Sequence, residues 1–282
     1  MTVTHAELAQ SLSPANPILQ REFSYQRFVI QRSRSGIFWI GLAVLMVVPA
    51  LLASVYYLVA ALLNLLPLVL FYDIPTSFHA YSGVLILMVN LSLYPVVTLV
   101  MLALARGSIT REKEGGTWQI LRLTTINSWQ IVIGKWWASL KALNGDQTMV
   151  IILRVGLAAY YIGFMLPSVH STLDTITAPY ALYIAALAPL FIIQALFDAM
   201  LTAAVGVIAA IPDEAAGTIV TSTVLLLRFV TVLLTGAWFV YIMNILRTSF
   251  AGALLVAVGG TVVTGLLVLA ALGLAYFLLE RG

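Results

Sequence analysis

Long apolar runs alternate with short polar ones along most of this 282-residue chain. A membrane-crossing helix needs about 20 consecutive, mostly apolar residues. Six stretches meet that requirement: 37–60, 84–105, 146–166, 182–210, 217–244 and 250–279. The first apolar run extends to Phe71, too far for one straight helix, so Asn64 and Pro67 are expected to break it into a span and a short outer-leaflet segment. Pro49 is expected to kink the first span, and Pro189 to tilt or break the long fourth one. The pattern predicts an all-α, polytopic membrane protein with six transmembrane helices.

The polar ground outside these runs divides in two. Residues 1–15 are small and polar and read as a mobile tail. Residues 16–35 read as an amphipathic helix. Asn16 suits its cap and Pro17 its first turn, while Ile18, Leu19, Phe23 and Ile30 alternate with Arg21, Glu22, Arg27, Arg32 and Arg34. A helix lying in the headgroup region has this composition. A helix docked on protein looks similar, but direct continuation into a span favours the membrane surface. The remainder, 36–282, forms one transmembrane domain interrupted by a polar segment at 106–145.

Composition supports this division. Hydrophobic residues make up 62% of the chain, charged ones 9%, and mean hydropathy is +1.04, which excludes an ordinary soluble domain. Of fourteen basic residues, Arg21, Arg27, Arg32, Arg34, Arg106, Arg111, Lys113, Arg122, Lys135, Lys141 and Arg281 fall on one side of the predicted bilayer, and only Arg247 on the other. The positive-inside rule then places both termini and 106–145 in the cytoplasm, in a multi-pass protein of the cell (plasma) membrane. The loops around Asp73–His79 and His170–Asp174 lack Lys and Arg and are expected outside. The pI of 9.2 follows from these basic loops, and no nucleic-acid partner is expected. There are no cysteines, hence no disulfide, thiolate metal site or thiol chemistry. The first thirty residues lack the apolar core of a cleavable signal, and 37–60 is expected to act as an uncleaved anchor.

The polar segment has internal order. Gly115-Gly116 should end the helix descending from the second span, and Thr117 should cap a short helix starting at Trp118. Trp118, Leu121 and Ile120 would make an apolar knob beside Arg122. Asn127 or Ser128 should cap a further helix on which Trp129, Ile133, Trp136 and Leu140 share one face, with Lys135, Ser139 and Lys141 on the rest. Asn144-Gly145-Asp146 should then interrupt it. Two readings stand: a helical projection that inserts into a groove on a soluble partner, or a loop that returns the chain to the membrane.

The run Glu112-x-Glu114-x-Gly116-Thr117-Trp118-x-Ile120-Leu121, then Leu123-Thr124, then Ile131-Val132-x-Gly134-Lys135, resembles the signature of ABC-2-type transporter permeases. Asn16-Pro17-Ile18 with Arg21-Glu22 resembles that family's N-terminal helix. Thr125 stands where the family usually has proline, Gln130 where an acidic residue is common, and 141–148 is unusually polar. The resemblance implies two permease subunits, as a homo- or heterodimer, and separate ATP-binding cassette ATPase subunits. It implies that Glu112, Glu114, Gly116, Thr117, Trp118 and Leu121 form the contact with the ATPase, with Trp118 and Leu121 inserted and the two glutamates near basic residues.

Three charges lie inside spans: Arg154, Asp198 and Arg228. Asp198 is fourteen residues before Pro212 and Arg228 fourteen after Glu214, so antiparallel neighbours would bring them level; Arg154 could reach a similar depth. They either line a substrate path or form a structural ion pair. Ala195, Ala199 and Ala203 with Thr202, Gly206 and Ala210 give the fourth span a close-packing stripe, and the glycines of the sixth are expected to serve packing. No phosphate-binding Gly-x-x-x-x-Gly-Lys-Ser/Thr run occurs, so ATP hydrolysis is expected on another subunit. His5, His79 and His170 are scattered and read as surface residues; no catalytic pair, cofactor or metal site is expected. The leading expectation is the permease of an ATP-driven exporter. The alternative is a non-transporting structural subunit that keeps the permease fold.

Charge distribution makes a topological prediction. Lys113 and Lys135 should be cytoplasmic, and His79 and Asp174 external. In this cysteine-free chain, an impermeant thiol reagent applied to intact cells should modify a cysteine at 174 but not one at 113 until the cells are opened. Modification at 113 in intact cells reverses the orientation.

Overall fold

The computed structural model describes residues 16–33, 37–62, 76–123, 126–162, 180–211 and 249–281, with scattered positions between 222 and 245. The protein is all-helical, and no strand occurs among the described residues. The helices are α1 (Pro17–Ser33), α2 (Ile37–Leu62), α3 (Thr76–Glu114), α4 (Thr117–Leu123), α5 (Ser128–Ala142), α6 (Asn144–Tyr160), α7 (Tyr180–Ala210) and α8 (Phe250–Arg281). Four are long and apolar enough to cross a bilayer, through Val44–Leu62, Ser77–Glu114, Ile184–Ala210 and Ala251–Glu280. The protein is therefore membrane-embedded.

Among the described residues there are four such helices, where six spans were expected over the whole chain. The expected third span is α6, only 17 residues long, with helical turns continuing through Ile162. Its polar first turn, Asn144-Gly145-Asp146-Gln147, shortens the apolar stretch. The expected fifth span falls largely outside the described residues, as do the outer-leaflet segment at Asn64–Phe71 and the 1–15 tail.

The second span exceeds its predicted limits at both ends. α3 runs 39 residues without a break, about 58 Å at 1.5 Å per residue, against a hydrocarbon core of about 30 Å. Its first turn carries His79, which is buried and not on a surface loop. The reason is pairing: Tyr57 on α2 bonds His79 Nδ1 at 2.9 Å and Ser82 Oγ at 2.6 Å, and its ring meets Tyr160 of α6 edge-on at 5.0 Å. Hydropathy marks a histidine as polar but cannot show that a tyrosine waits for it.

α7 is the most enclosed of the four long helices. It packs on α8 and α3 most extensively, and on α6, α5 and α2. Ala195, Ala199 and Ala203 are buried, as expected of a close-packing stripe. Pro49, Pro95 and Pro189 are carried inside α2, α3 and α7 without ending them.

Two apolar clusters fill the bundle. One joins α2, α6 and the first halves of α3, α7 and α8, around Tyr57, Ile86, Leu153, Leu187 and Ala257. The other joins α4, α5 and the second halves of α3, α7 and α8, around Met101, Ile109, Ile131, Val207 and Leu272. Polar side chains occupy the level between them.

α2 and α6 approach closely where Gly156 faces Ser54. A Cβ at Gly156 would lie 2.5 Å from Ser54 Cα, a backbone atom that cannot step aside. Gly156→Ala should destabilise the protein by about 1–3 kcal/mol through overpacking. Gly107→Ala, in the same type of helical setting with open space at its Cβ, should be neutral or mildly stabilising. Thermal unfolding of the detergent-purified variants separates the two.

Candidate functional site

The first candidate region lies at the end of the bundle that carries the basic residues. α3 ends where Gly116 takes φ +67, a left-handed conformation that glycine adopts without a Cβ penalty. Gly115 and Gly116 donate back to the carbonyls of Arg111 and Lys113, closing the helix end. The expected glycine break is thus present. Thr117 does not cap the next helix as expected: its hydroxyl donates to Glu112 O at 3.3 Å, tying it to the helix just ended. Asn127 does cap α5, accepting from Trp129 N at 3.0 Å. The interruption expected at Asn144–Asp146 is only Leu143, after which α6 begins at once.

α1 packs along α5. Asn16 caps it as expected, accepting from Ile18 N at 3.1 Å, and also reaches Gln130 O at 3.4 Å. Leu19, Glu22 and Gln26 form its buried stripe, while Tyr25 and Phe28 are exposed. Two of the three inward residues are polar, which an apolar-face reading cannot anticipate. Gly134 permits the approach: a Cβ there would press at 3.2 Å on both Asn16 and Ile18.

The polar stripe of α1 meets a buried cation. Lys135 on α5 is fully buried, where the helical pattern had placed it on a solvated face. Its ammonium donates to Ser108 O at 2.8 Å and Glu112 Oε1 at 3.0 Å, with Glu22 Oε2 at 3.7 Å. Glu22 also accepts from Arg111 Nη2 at 2.8 Å and from Gln26 Nε2 at 3.1 Å. Gln26 bridges onward to Ser139 Oγ at 3.2 Å, and Arg111 lies over the Tyr25 ring at 3.7 Å. Burying a charge is costly unless it is paired and hydrogen-bonded. Two carboxylates and a backbone carbonyl meet that need here, and they join α1, α3 and α5.

α5 is buried around most of its circumference, on Ile131, Val132, Ile133, Lys135, Trp136 and Ser139 alike. Trp136 Nε1 donates to Met200 O of α7 at 2.9 Å, and Trp129 meets Tyr276 of α8 edge-on at 5.5 Å. The one-face pattern of Trp129, Ile133, Trp136 and Leu140 marks half of its contacts; α1, α3 and α7 supply the others. Lys113 Nζ donates to Ile211 O at 2.6 Å, tying the end of α3 to the end of α7.

α4 stands outside this clamp. Trp118 is buried in the chain's own core and Leu121 is half-buried against it. The apolar side chains that α4 turns outward are Ile120, 65% exposed, and Leu123, 87% exposed, beside the exposed Glu114. Glu112 is committed to Lys135.

The second region is the polar level inside the bundle. Asp198 on α7 is buried and accepts a short hydrogen bond from the Tyr94 hydroxyl of α3. Arg154 on α6 lies over the Tyr94 ring, 4.1 Å from its centroid. Arg154 and Asp198 thus share Tyr94; the counts along the chain had matched Asp198 with Arg228. Arg228 lies outside the described residues. Tyr94 carried no signal of its own, since aromatic residues are common in apolar spans. One turn along α7, Gln194 donates to Thr264 of α8 at 2.9 Å. No group of three metal-ligating side chains occurs among the described residues.

Compared with protein-family models, with curated proteins and with solved structures, the chain matches none of them.

The ion cluster predicts a coupled response. Lys135→Met strands Glu112 beside an apolar side chain and leaves Glu22 paired with Arg111 alone, and should cost about 3–5 kcal/mol, the penalty for breaking a buried pair. Combined with Glu22→Gln, the loss should be clearly less than the sum of the single losses. Thermal and denaturant unfolding of the three purified variants measures this, and additive losses would mean that the two side chains do not interact.

Proposed function

We propose that the chain is the membrane-embedded permease subunit of an ATP-driven transporter of the ABC-2 type, acting as an exporter. It would pair with a second permease subunit and take its energy from a separate ATP-binding cassette ATPase. The observation that carries this reading is α4: a short helix set off by the Gly116 turn, fixed by Trp118 to the body, and presenting Ile120 and Leu123 outward. Exposed apolar anchors with a polar rim suit insertion into a groove on a partner. The permease-like residues of 112–135 support the same reading, because they are the residues that build this region. Gly116 makes the turn, Glu112 and Lys135 pair, and Gly134 admits α1.

In this reading the 106–145 segment is cytoplasmic, and both termini lie on its side of the plasma membrane. Closure of the ATPase on nucleotide would push on α4. The clamp of Glu22, Arg111, Glu112 and Lys135 would pass that push to α1, α3 and α5 as one body. Trp118 and Leu121 would set the height of α4 from within, Glu114 would lie at the rim, and Gly116 and Thr117 would shape the turn.

Ile120→Ala with Leu123→Ala should abolish co-purification of the ATPase, or uncouple its hydrolysis from transport, while the chain still inserts and unfolds at the wild-type temperature. Trp118→Ala should lower the unfolding temperature as well, because it empties a core position. The measurements are a pull-down of co-expressed ATP-binding cassette ATPase from the source organism and an ATPase assay in reconstituted vesicles. Unchanged binding by the double variant would remove α4 from the interface. A wild-type chain that captures no ATPase would favour the non-transporting structural subunit.

A further inference from the structure

Arg154 is set deep in the bundle by three independent counts. It lies ten residues, about 15 Å, into α6 from Asn144. Its partner Tyr94 lies twelve residues, about 18 Å, before Arg106 on α3, and Asp198 twelve residues, about 18 Å, before the end of α7. All three converge near the middle of a hydrocarbon layer about 30 Å thick. A guanidinium at such a depth is costly, and the cost falls only if it finds a partner or reaches water.

Arg154 does neither within the described residues. It makes no hydrogen bond or ion pair there, only the stacking contact with Tyr94. The Tyr94 hydroxyl, at the edge of the ring on which Arg154 stacks, donates to Asp198. Arg154 is partly exposed, and its guanidinium is a planar fork of N–H donors. One turn from Tyr94 on the same face of α3, the Asn90 side-chain nitrogen is buried without an acceptor. Two unsatisfied donors, one of them a cation, therefore accompany a single aromatic ring. The neighbouring exposed side chains of α3, Leu91 and Val96, are apolar.

We propose that Arg154, laid on the ring of Tyr94 between α3 and α6, binds the anionic head group of an amphiphile that reaches it from the bilayer. The donors call for an oxygen-rich anion, and the planar fork suits a phosphate or carboxylate taken by two oxygens. The depth and the apolar surroundings call for an anion carried on a hydrocarbon stem, because a free aqueous anion would have to shed its hydration to reach this level. Stacking holds the guanidinium in place and keeps it from turning toward water. The site stands on Arg154, Tyr94 and Asn90 alone and does not require that the chain be a transporter.

The test uses the full chain in phosphatidylcholine nanodiscs, without nucleotide or ATPase. Dioctanoyl phosphatidic acid is titrated beside two controls, dioctanoylglycerol and inorganic phosphate, and binding is read by native mass spectrometry and by the shift in unfolding temperature. Phosphatidic acid should bind saturably and the controls weakly. Arg154→Gln should weaken binding roughly tenfold to a hundredfold, the loss of a charge-assisted pair, and Arg154→Lys by less. Tyr94→Phe, which keeps the ring, should retain binding, and Tyr94→Leu should lose it. Equal binding by wild type and Arg154→Gln overturns the proposal. So does equal binding of dioctanoylglycerol, which would show recognition of tails only, or of inorganic phosphate, which would show an aqueous anion site. Should Arg154→Gln fail to fold, equal affinities of Tyr94→Leu and wild type overturn it in its place.

Discussion

A fully desolvated ammonium sets the terms for the basic end of this protein. Lys135 has no route to water, so the chain must bring acceptors to it. It brings three from two helices: Ser108 O and Glu112 from α3, and Glu22 from α1. Each of those groups can reach Lys135 only if its own helix is seated. The placement of α1 on α5, the descent of α3 past the last apolar residues and the turn at Gly116 are therefore mutually dependent. Removing any one carboxylate leaves an uncompensated charge, which is why such clusters fix geometry more than they add stability.

A second constraint acts at mid-bundle. The two apolar clusters share α3, α7 and α8 but otherwise draw on different helices. Between them lie Tyr94, Arg154, Asp198, Gln194 and Thr264, joined across helices by two hydrogen bonds and the stack of Arg154 on Tyr94. A hydrocarbon-lined interior gives little reason for helices to prefer one register over another, because lipid tails and leucines are alike in polarity. Directional bonds supply that preference. Tyr94 to Asp198 fixes α3 against α7, and Gln194 to Thr264 fixes α7 against α8.

Much of this was legible in the chain, and the part that was not has a common cause. Apolar run length located α2, α3, α7 and α8, and the glycine pair located the turn after α3. Asn16 and Asn127 announced the starts of α1 and α5 because a cap is a local interaction, complete within three residues. Lys135, Glu22 and His79 were misplaced on polar surfaces because their burial depends on partners 22 to 113 positions away. Trp118 was expected at a protruding tip for the same reason: its burial belongs to a core cluster gathered from α3, α5, α7 and α8. The start of α6 shows the converse, since one polar turn there shortens the apolar stretch by which a span is recognised.

The uninterrupted length of α3 has a mechanical consequence. Pro95 lacks the N–H that would tie it to the preceding turn, so the rod is weakest there. From Pro95 to Glu114 is nineteen residues, an arm of roughly 28 Å at 1.5 Å per residue. Tyr94 sits at the fulcrum of that arm, and α4 hangs from its far end. A leaning arm carries its tip far and its fulcrum hardly at all, but it rotates both through the same angle. What would reach the middle of the bundle from a load on α4 is therefore a twist and not a displacement. The flat ring of Tyr94, with a cation on its face and a carboxylate at its edge, is a shape that reads angle.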